Sequence, residues 1–325
     1  GRPARRAAAA PPLPVTDAAS GMADGLLSLA RALNDQNAQG QALLLARMAA
    51  YLAPGQGDVA LLIAEISLAQ GNPAEALRIL ADVPADSPYG WEARLLDAQV
   101  LATMERQDEA IARLDRMADE RPERIDALVA KGDLLRRQDR FAESETAYDR
   151  AIGRIDEITV GHWPLFYARG IARERTGRWP EAEADFLHAL ELQPDQPQVL
   201  NYLGYSWVDQ GLNLDEGEAM LRRAVDLRPD DGYIVDSLGW AYYRLERVSE
   251  SVTYLERAVE LQPDDPVIND HLGDAYWRAG RQREARFQWR RALTFEPEAD
   301  QVVLIERKLR EGLDDAQGER GADSG

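Results

Sequence analysis

The 325 residues contain no cysteine, which excludes a disulfide framework, a thiolate metal site and a thiol nucleophile. Lysine is almost missing as well: Lys131 and Lys308 are the only two, and the remaining basic charge is arginine. The formal net charge is -19, which argues against a nucleic-acid backbone as ligand, because such binding depends on Lys and Arg neutralising phosphates. The same charge disfavours docking on an anionic membrane. Residues 1–22 hold no apolar run long enough for a signal peptide or a membrane span. Only three histidines occur, His162, His188 and His271, and no Gly-rich phosphate loop or nucleophile motif accompanies them. His271 alone has company, Asp270 and Asp274, a combination that can bind a metal or move a proton. Helical spacing puts at most two of these three on one face. The expectation is a chain with no catalytic residue, no cofactor and no metal.

Repetition fills the space left by these absences. The stretch GYIVDSLGWAYYRLERVSESVTYLERAVELQP, from Gly232 to Pro263, reads as two amphipathic helices. Val235, Leu238, Gly239 and Tyr242 share one face of the first, and Val252, Leu255, Ala258 and Val259 share one face of the second. Arg247 to Ser249 supply the break, and Pro263, with no N–H to donate, stops the second helix. Gly239 stands opposite Tyr254 and Leu255, and close approach of the partner helix is the reason for a glycine there. Such a hairpin cannot bury both faces alone.

Sliding this frame along the chain finds starts at Ala23, Gly57, Trp91, Ile125, Trp163, Pro197, Gly232 and Pro266. The eighth position reads Ala30, Ala64, Ala98, Gly132, Gly170, Gly204, Gly239 and Gly273, and the twenty-seventh Ala49, Val83, Met117, Ala151, Ala189, Ala224, Ala258 and Ala292. The frame at Pro197 carries one extra residue in its inter-helix turn, so its second helix is shifted by one. Proline closes most frames, at Pro54, Pro88, Pro122, Pro194, Pro229, Pro263 and Pro297. This sustained 34-residue period with small residues at fixed points resembles the tetratricopeptide repeat (TPR). The resemblance implies an all-α fold, a right-handed TPR superhelix (α-solenoid) of about eight helix-turn-helix repeats with a C-terminal closing helix.

The organisation expected is a disordered lead-in over 1–22, repeats 1–4 over 23–158, repeats 5–8 over 159–299, a closing helix over 300–313 and a disordered tail over 314–325. The first four repeats, rich in Ala and Leu with few aromatics, read as scaffold. Four residues are added between frames in DEITVGH, Asp156 to His162, where a hinge or a change of curvature is expected. DQVVLIERKLREGL carries Val302, Ile305 and Leu309 on one face and Glu306, Arg307 and Arg310 away from it, as a closing helix requires.

Repeats five to eight are denser in aromatics. In tetratricopeptide arrays the first helix of each repeat lines a concave groove, and the resemblance implies that positions two, five, nine, twelve and thirteen face inward. The residues so placed include Asn201 and Tyr205 in the sixth repeat, Tyr233, Asp236, Trp240, Tyr243 and Arg244 in the seventh, and Asp270, Asp274, Trp277 and Arg278 in the eighth. Aromatic and Arg side chains anchor peptides, and polar groups fix register. The carboxylates make this expected groove acidic, suited to a basic or apolar segment.

The words LGY, DSLGW and HLGD, at Leu203 to Tyr205, Asp236 to Trp240 and His271 to Asp274, together with Trp289, resemble the C-terminal half of a long alphaproteobacterial tetratricopeptide family. They are more distantly similar to a tetratricopeptide lipoprotein that recruits a periplasmic carboxyl-terminal processing protease, although the lipid-bearing cysteine of that lipoprotein is absent here. These resemblances imply a non-enzymatic adaptor holding a protein or peptide, with such a protease as one candidate partner. They also imply a periplasmic location, or the inner face of the outer membrane, where an export signal has been removed, and a cytoplasmic one otherwise. A structural or assembly subunit using its convex face or solenoid ends is the alternative.

Overall fold

The computed structural model describes residues 17–313, and the tail expected over 314–325 lies outside them, as does 1–16 of the lead-in. The described residues form seventeen α-helices and one 3-10 turn, with no strand among them. They fall into two compact units, Gly1–Asp185 and Phe186–Gly325.

Unit 1 contains α1 (Ala18–Asp35) and α2 (Gln39–Leu52), α3 (Gly57–Ala69) and α4 (Pro73–Ala81), α5 (Gly90–Thr103) and α6 (Gln107–Glu120), α7 (Asp126–Arg136) and α8 (Phe141–Ile152), then α9 (Trp163–Arg175) and the start of α10 (Trp179–Leu192). Helix α1 begins inside the expected lead-in because Asp17 caps it, its carboxylate accepting from the Ser20 N–H at 2.8 Å. Unit 2 contains the rest of α10, α11 (Pro197–Gln210) and α12 (Leu214–Leu227), α13 (Gly232–Arg244) and α14 (Val248–Leu261), α15 (Pro266–Arg278) and α16 (Gln282–Leu293), and the closing helix α17 (Ala299–Glu311).

Each pair is one hairpin, and one turn geometry makes all eight. The fifteenth residue of every frame is left-handed: Asn37, Gly71, Glu105, Asp139, Gly177, Gly211, Glu246 and Gly280 have φ between 56° and 76°. The next residue's N–H then donates back to the carbonyl of the eleventh, as in Arg106 to Leu101, Arg247 to Tyr242 and Arg281 to Tyr276, at 2.8 to 3.0 Å. This is the helix-ending arrangement that satisfies orphan carbonyls. Asn213, with φ 39°, takes up the extra residue of the sixth repeat. In five repeats the sixteenth residue is an arginine clamping the glutamate three positions on: Arg106 to Glu109, Arg140 to Glu143, Arg178 to Glu181, Arg247 to Glu250 and Arg281 to Glu284, at 2.7 to 3.1 Å.

Small residues at the eighth position let the paired helices touch. A Cβ on Gly239 would lie 2.7 Å from Leu255 Cγ, and one on Gly273 would collide with the Trp289 ring. The core of unit 2 is one seam from Leu200 through Leu221, Leu238, Tyr242, Leu255, Leu272 and Trp289 to Ile305 and Leu313, the continuous burial expected of stacked repeats.

The joint at 156–162, where a hinge or a change of curvature is expected, is packed from both sides. Leu165 and Ala168 beyond the joint share a core cluster with Tyr148 and Ala151 before it. Across the joint Arg169 donates to Asp149 at 2.7 Å, and Arg173 and Arg178 donate to Glu145 at 2.9 and 2.7 Å. The added residues coil into Val160–His162, where the Thr159 N–H donates to His162 Nδ1 at 2.9 Å. Insertion length alone does not loosen a joint whose flanking helices still find their partners.

Candidate peptide-binding groove

The first helices of repeats six to eight in unit 2 are α11, α13 and α15, and α17 follows the last repeat. A cavity of about 830 Å³ opens among α13, α15 and α17. Six of the expected residues line it: Trp240, Tyr243, Arg244, Asp270, Asp274 and Arg278. Asn201, Tyr205, Tyr233, Asp236 and Trp277 do not.

Its aromatic wall is built across two repeats. Trp240 stacks on Tyr243 with centroids 4.6 Å apart and planes 12° from parallel, and on His271 at 4.0 Å and 18°. Tyr243 is one helical turn from Trp240, and His271 comes from α15. The imidazole is fixed from behind by Asp236, whose Oδ2 lies 3.0 Å from His271 Nδ1. Burial alone would lower the His271 pKa, but the Asp236 carboxylate outweighs it, aided by Asp270 and Asp274, and the group is raised above its ordinary 6.5.

The two carboxylates expected beside His271 go elsewhere. Lys308 of α17 reaches down between them, its Nζ donating to Asp270 Oδ2 at 2.7 Å and to Asp274 Oδ2 at 2.8 Å. Trp289 Nε1 donates to the other Asp274 oxygen at 2.9 Å. Burial, then the like charge of Asp270, pushes the Asp274 pKa up to about 6 against the opposing pull of Lys308. The acidic groove expected from the sequence is thereby corrected: Asp236, Asp270 and Asp274 each face an internal basic side chain. Arg244 pairs with Asp209 at 2.7 Å, with both side chains 44% exposed, and Arg278 Nε reaches the Tyr243 hydroxyl at 3.4 Å.

The remaining expected contacts have other surroundings. Trp277 packs 5.4 Å from Trp289, with the Arg286 guanidinium over its ring at 4.8 Å. A Cβ on Gly312 would fall 2.5 Å from Trp277 Cζ2, so the end of α17 sits on this indole. Tyr205 packs on the unit 2 core, and burial, with Asp209 and Asp236 nearby, pushes its pKa up to about 12. Asn201 is half-buried on α11. Tyr233 is 57% exposed, with Asp265 as neighbour.

Sequence reasoning missed His271 as part of the wall and missed Gln301, Leu304, Lys308 and Leu313 as lining residues. The scarcity of lysine was the one signal available, since Lys131 is likewise engaged with a carboxylate, Asp115, at 2.7 Å. Among the lining residues there is no serine, threonine or cysteine to serve as nucleophile. Among the described residues no cluster of three or more His, Cys, Asp or Glu is arranged to hold a metal. Unit 1 has its own cavity of about 540 Å³, lined by Leu62, Tyr89, Glu92, Leu95, Leu96 and Leu134 among others, so the plainer half is not featureless.

Stacked helical hairpins define a helical-repeat protein. Family models agree on which one: a tetratricopeptide repeat-like domain matches residues 17–162, and the tetratricopeptide repeat matches 167–232, 208–266 and 237–301. The chain belongs to the tetratricopeptide-repeat proteins. It is 30% identical over 186 residues to the TPR repeat-containing protein PA4667 of Pseudomonas aeruginosa, an alignment covering 57% of this chain and 31% of that protein. The chain thus spans about a third of that relative's length. Among solved structures it resembles the APC/C hetero-tetramer Cut9-Hcn1 (TM-score 0.62, 16% identity, covering 89% of this chain and 56% of that one). It also resembles a tetratricopeptide repeat protein from Parabacteroides merdae (TM-score 0.60, 14% identity, covering 78% and 97%). At these identities the likeness concerns the fold.

Proposed function

We propose that the chain is a non-enzymatic adaptor that holds a segment of a partner protein in the unit 2 groove. The observation that carries this reading is the Trp240, Tyr243 and His271 stack facing a cavity of about 830 Å³. Preformed aromatic surface in a concave site is where binding energy concentrates, because it is desolvated at little cost in side-chain entropy. With Asp270 and Asp274 tied to Lys308, the groove no longer selects for a basic segment. It suits an apolar or aromatic side chain laid on the stack, with Arg244 and Arg278 at the edge to donate hydrogen bonds to carbonyl or carboxylate oxygens. The resemblance to a lipoprotein that recruits a carboxyl-terminal processing protease makes an envelope protease of that class the first partner to try.

The test is capture of partners from the native lysate by the parent chain and by Trp240→Ala, with helical content compared by circular dichroism. Truncating a central aromatic anchor weakens binding by about thirtyfold, on the order of 2 kcal/mol. A partner held by the parent and lost by the variant supports the reading. Identical captures by both chains overturn it.

A further inference from the structure

Among the second helices of the repeats, α6, α8, α10, α12 and α14 each carry more carboxylates than basic side chains, and α16 reverses that balance. It holds Arg283, Arg286, Arg290 and Arg291 against one carboxylate, Glu284, which Arg281 already clamps at 3.1 Å. The arginines of α12 and α14 are spent within the fold: Arg222 on Glu218 at 2.8 Å, Arg223 on Asp195 at 3.0 Å and Arg257 on the Pro229 carbonyl at 2.5 Å. Among the described residues, none of the four arginines of α16 forms an ion pair or a side-chain hydrogen bond.

Two of the four are held by rings. The Arg286 guanidinium lies over Trp277 at 4.8 Å and that of Arg291 over Phe295 at 5.7 Å. A ring attracts the cation as a charge and takes none of its N–H donors, so these side chains are placed and still have their hydrogen bonds to give. Arg283, Phe287 and Arg290 follow at steps of four and three, which sets them on one stripe of the helix. All three are exposed, Phe287 by 60%, while Ala285, Trp289 and Ala292 on the other side are buried. A stripe so exposed adds little to the packing of unit 2.

We infer that the stripe is a second docking surface, for an acidic segment of a partner protein that carries an apolar side chain among its carboxylates. The apolar side chain rests on Phe287, and the carboxylates take paired N–H bonds from Arg283 and Arg290, the fork geometry that arginine offers. Arg286 and Arg291 widen the same field. A helical rise of about 1.5 Å per residue puts Arg283 and Arg290 roughly 10 Å apart along the axis. Carboxylates about three residues apart in an extended segment reach both. None of the lining residues of the groove is on α16, so the stripe is separate from it. A larger polyanion fits worse: a nucleic acid or an anionic bilayer would lie against the acidic remainder of the chain as well as the four arginines, and the net charge of -19 repels it.

The test is fluorescence anisotropy of the full chain with a fluorescein-labelled peptide of repeated Glu-Glu-Leu-Glu units at low salt. Saturable binding is expected, weakened about tenfold or more by Arg283→Glu/Arg290→Glu and about fivefold by Phe287→Ala, with helical content unchanged by circular dichroism. Trp240→Ala, in the groove, is expected to leave it unaltered. A matching peptide with glycine in place of leucine reads the apolar contact, and is expected to bind the parent and Phe287→Ala equally. Absence of saturable binding to the parent overturns the inference, as does binding that the double charge reversal leaves intact. Phosphatidylserine vesicles or duplex DNA captured through the same arginines in preference to the peptide would overturn it in favour of a polyanion. Self-association of the parent that the double reversal abolishes, read by sedimentation velocity, would overturn it in favour of a second copy.

Discussion

Lys308 and Asp274, on α17 and α15, meet at 2.8 Å with side chains only 10% and 4% exposed. The closing helix is thus held by an ionic tie inside the molecule as well as by its apolar face. Removing one member of a buried pair strands the other, at a cost of about 3–5 kcal/mol. Lys308→Met is expected to destabilise unit 2 by roughly that amount in urea denaturation. Adding Asp270→Asn and Asp274→Asn to it is expected to recover most of the loss, since no carboxylate is then left uncompensated.

Two groups in this neighbourhood bind protons more readily folded than unfolded. His271 is raised above 6.5 by Asp236 against burial, and Asp274 is raised from 3.8 to about 6 by burial and Asp270. A raised pKa contributes stability that is full below the unfolded value and lost as pH rises through the folded one. Unit 2 is therefore expected to unfold at lower denaturant as pH climbs from about 4 through about 6 and on above 6.5. Asp236→Asn should flatten the part of the profile above pH 6.5, read by denaturation midpoints across the series.

Gly239→Ala tests the helix contact inside the seventh repeat. The added methyl would stand 2.7 Å from Leu255 Cγ and 3.1 Å from the Leu255 nitrogen. Because backbone as well as side chain must shift, a loss of about 1–3 kcal/mol is expected in place of the usual helical gain from glycine to alanine. Thermal and urea melts of the single variant measure it.

Glu105 occupies the left-handed turn position with φ 60° and is exposed. A side chain there costs about 1–2 kcal/mol that glycine avoids, offset in part by the entropy glycine loses on folding. Glu105→Gly is expected to stabilise unit 1 by up to about 1 kcal/mol. A loss of stability would show that the turn is held by contacts of Glu105 instead of by backbone preference.

The repeat frame was legible because its causes are local and recur: small residues at eight and twenty-seven, apolar faces at helical spacing, and proline after the second helix. The turn position was not, because Asn37, Glu105, Asp139 and Glu246 share no chemistry that sets them apart from ordinary surface residues; only their backbone angle unites them with the four glycines. The groove was half legible. Trp240, Tyr243, Arg244, Asp270, Asp274 and Arg278 do line one cavity, yet the charge of that cavity depends on Lys308, thirty-eight residues beyond Asp270, and no periodicity connects a closing helix to the repeat it covers. The packing of Gly312 on Trp277 was not legible for the same reason, since the end of α17 follows no repeat rule.

The arginine to glutamate clamps at the sixteenth and nineteenth positions begin and end inside a single 34-residue unit. Gain or loss of a whole unit in the interior would carry each clamp along complete, and only the bonds that Arg178, Arg247 and Arg281 also make to Glu145, Glu218 and Glu256 of the preceding repeat would need matching residues there. The Lys308 tie has no such freedom. It joins the last repeat to a helix outside the series, and any unit added after α16 would have to bring its own pair of carboxylates or leave a lysine stranded. Growth of this lineage is thus permitted in the middle and penalised at the C-terminal edge.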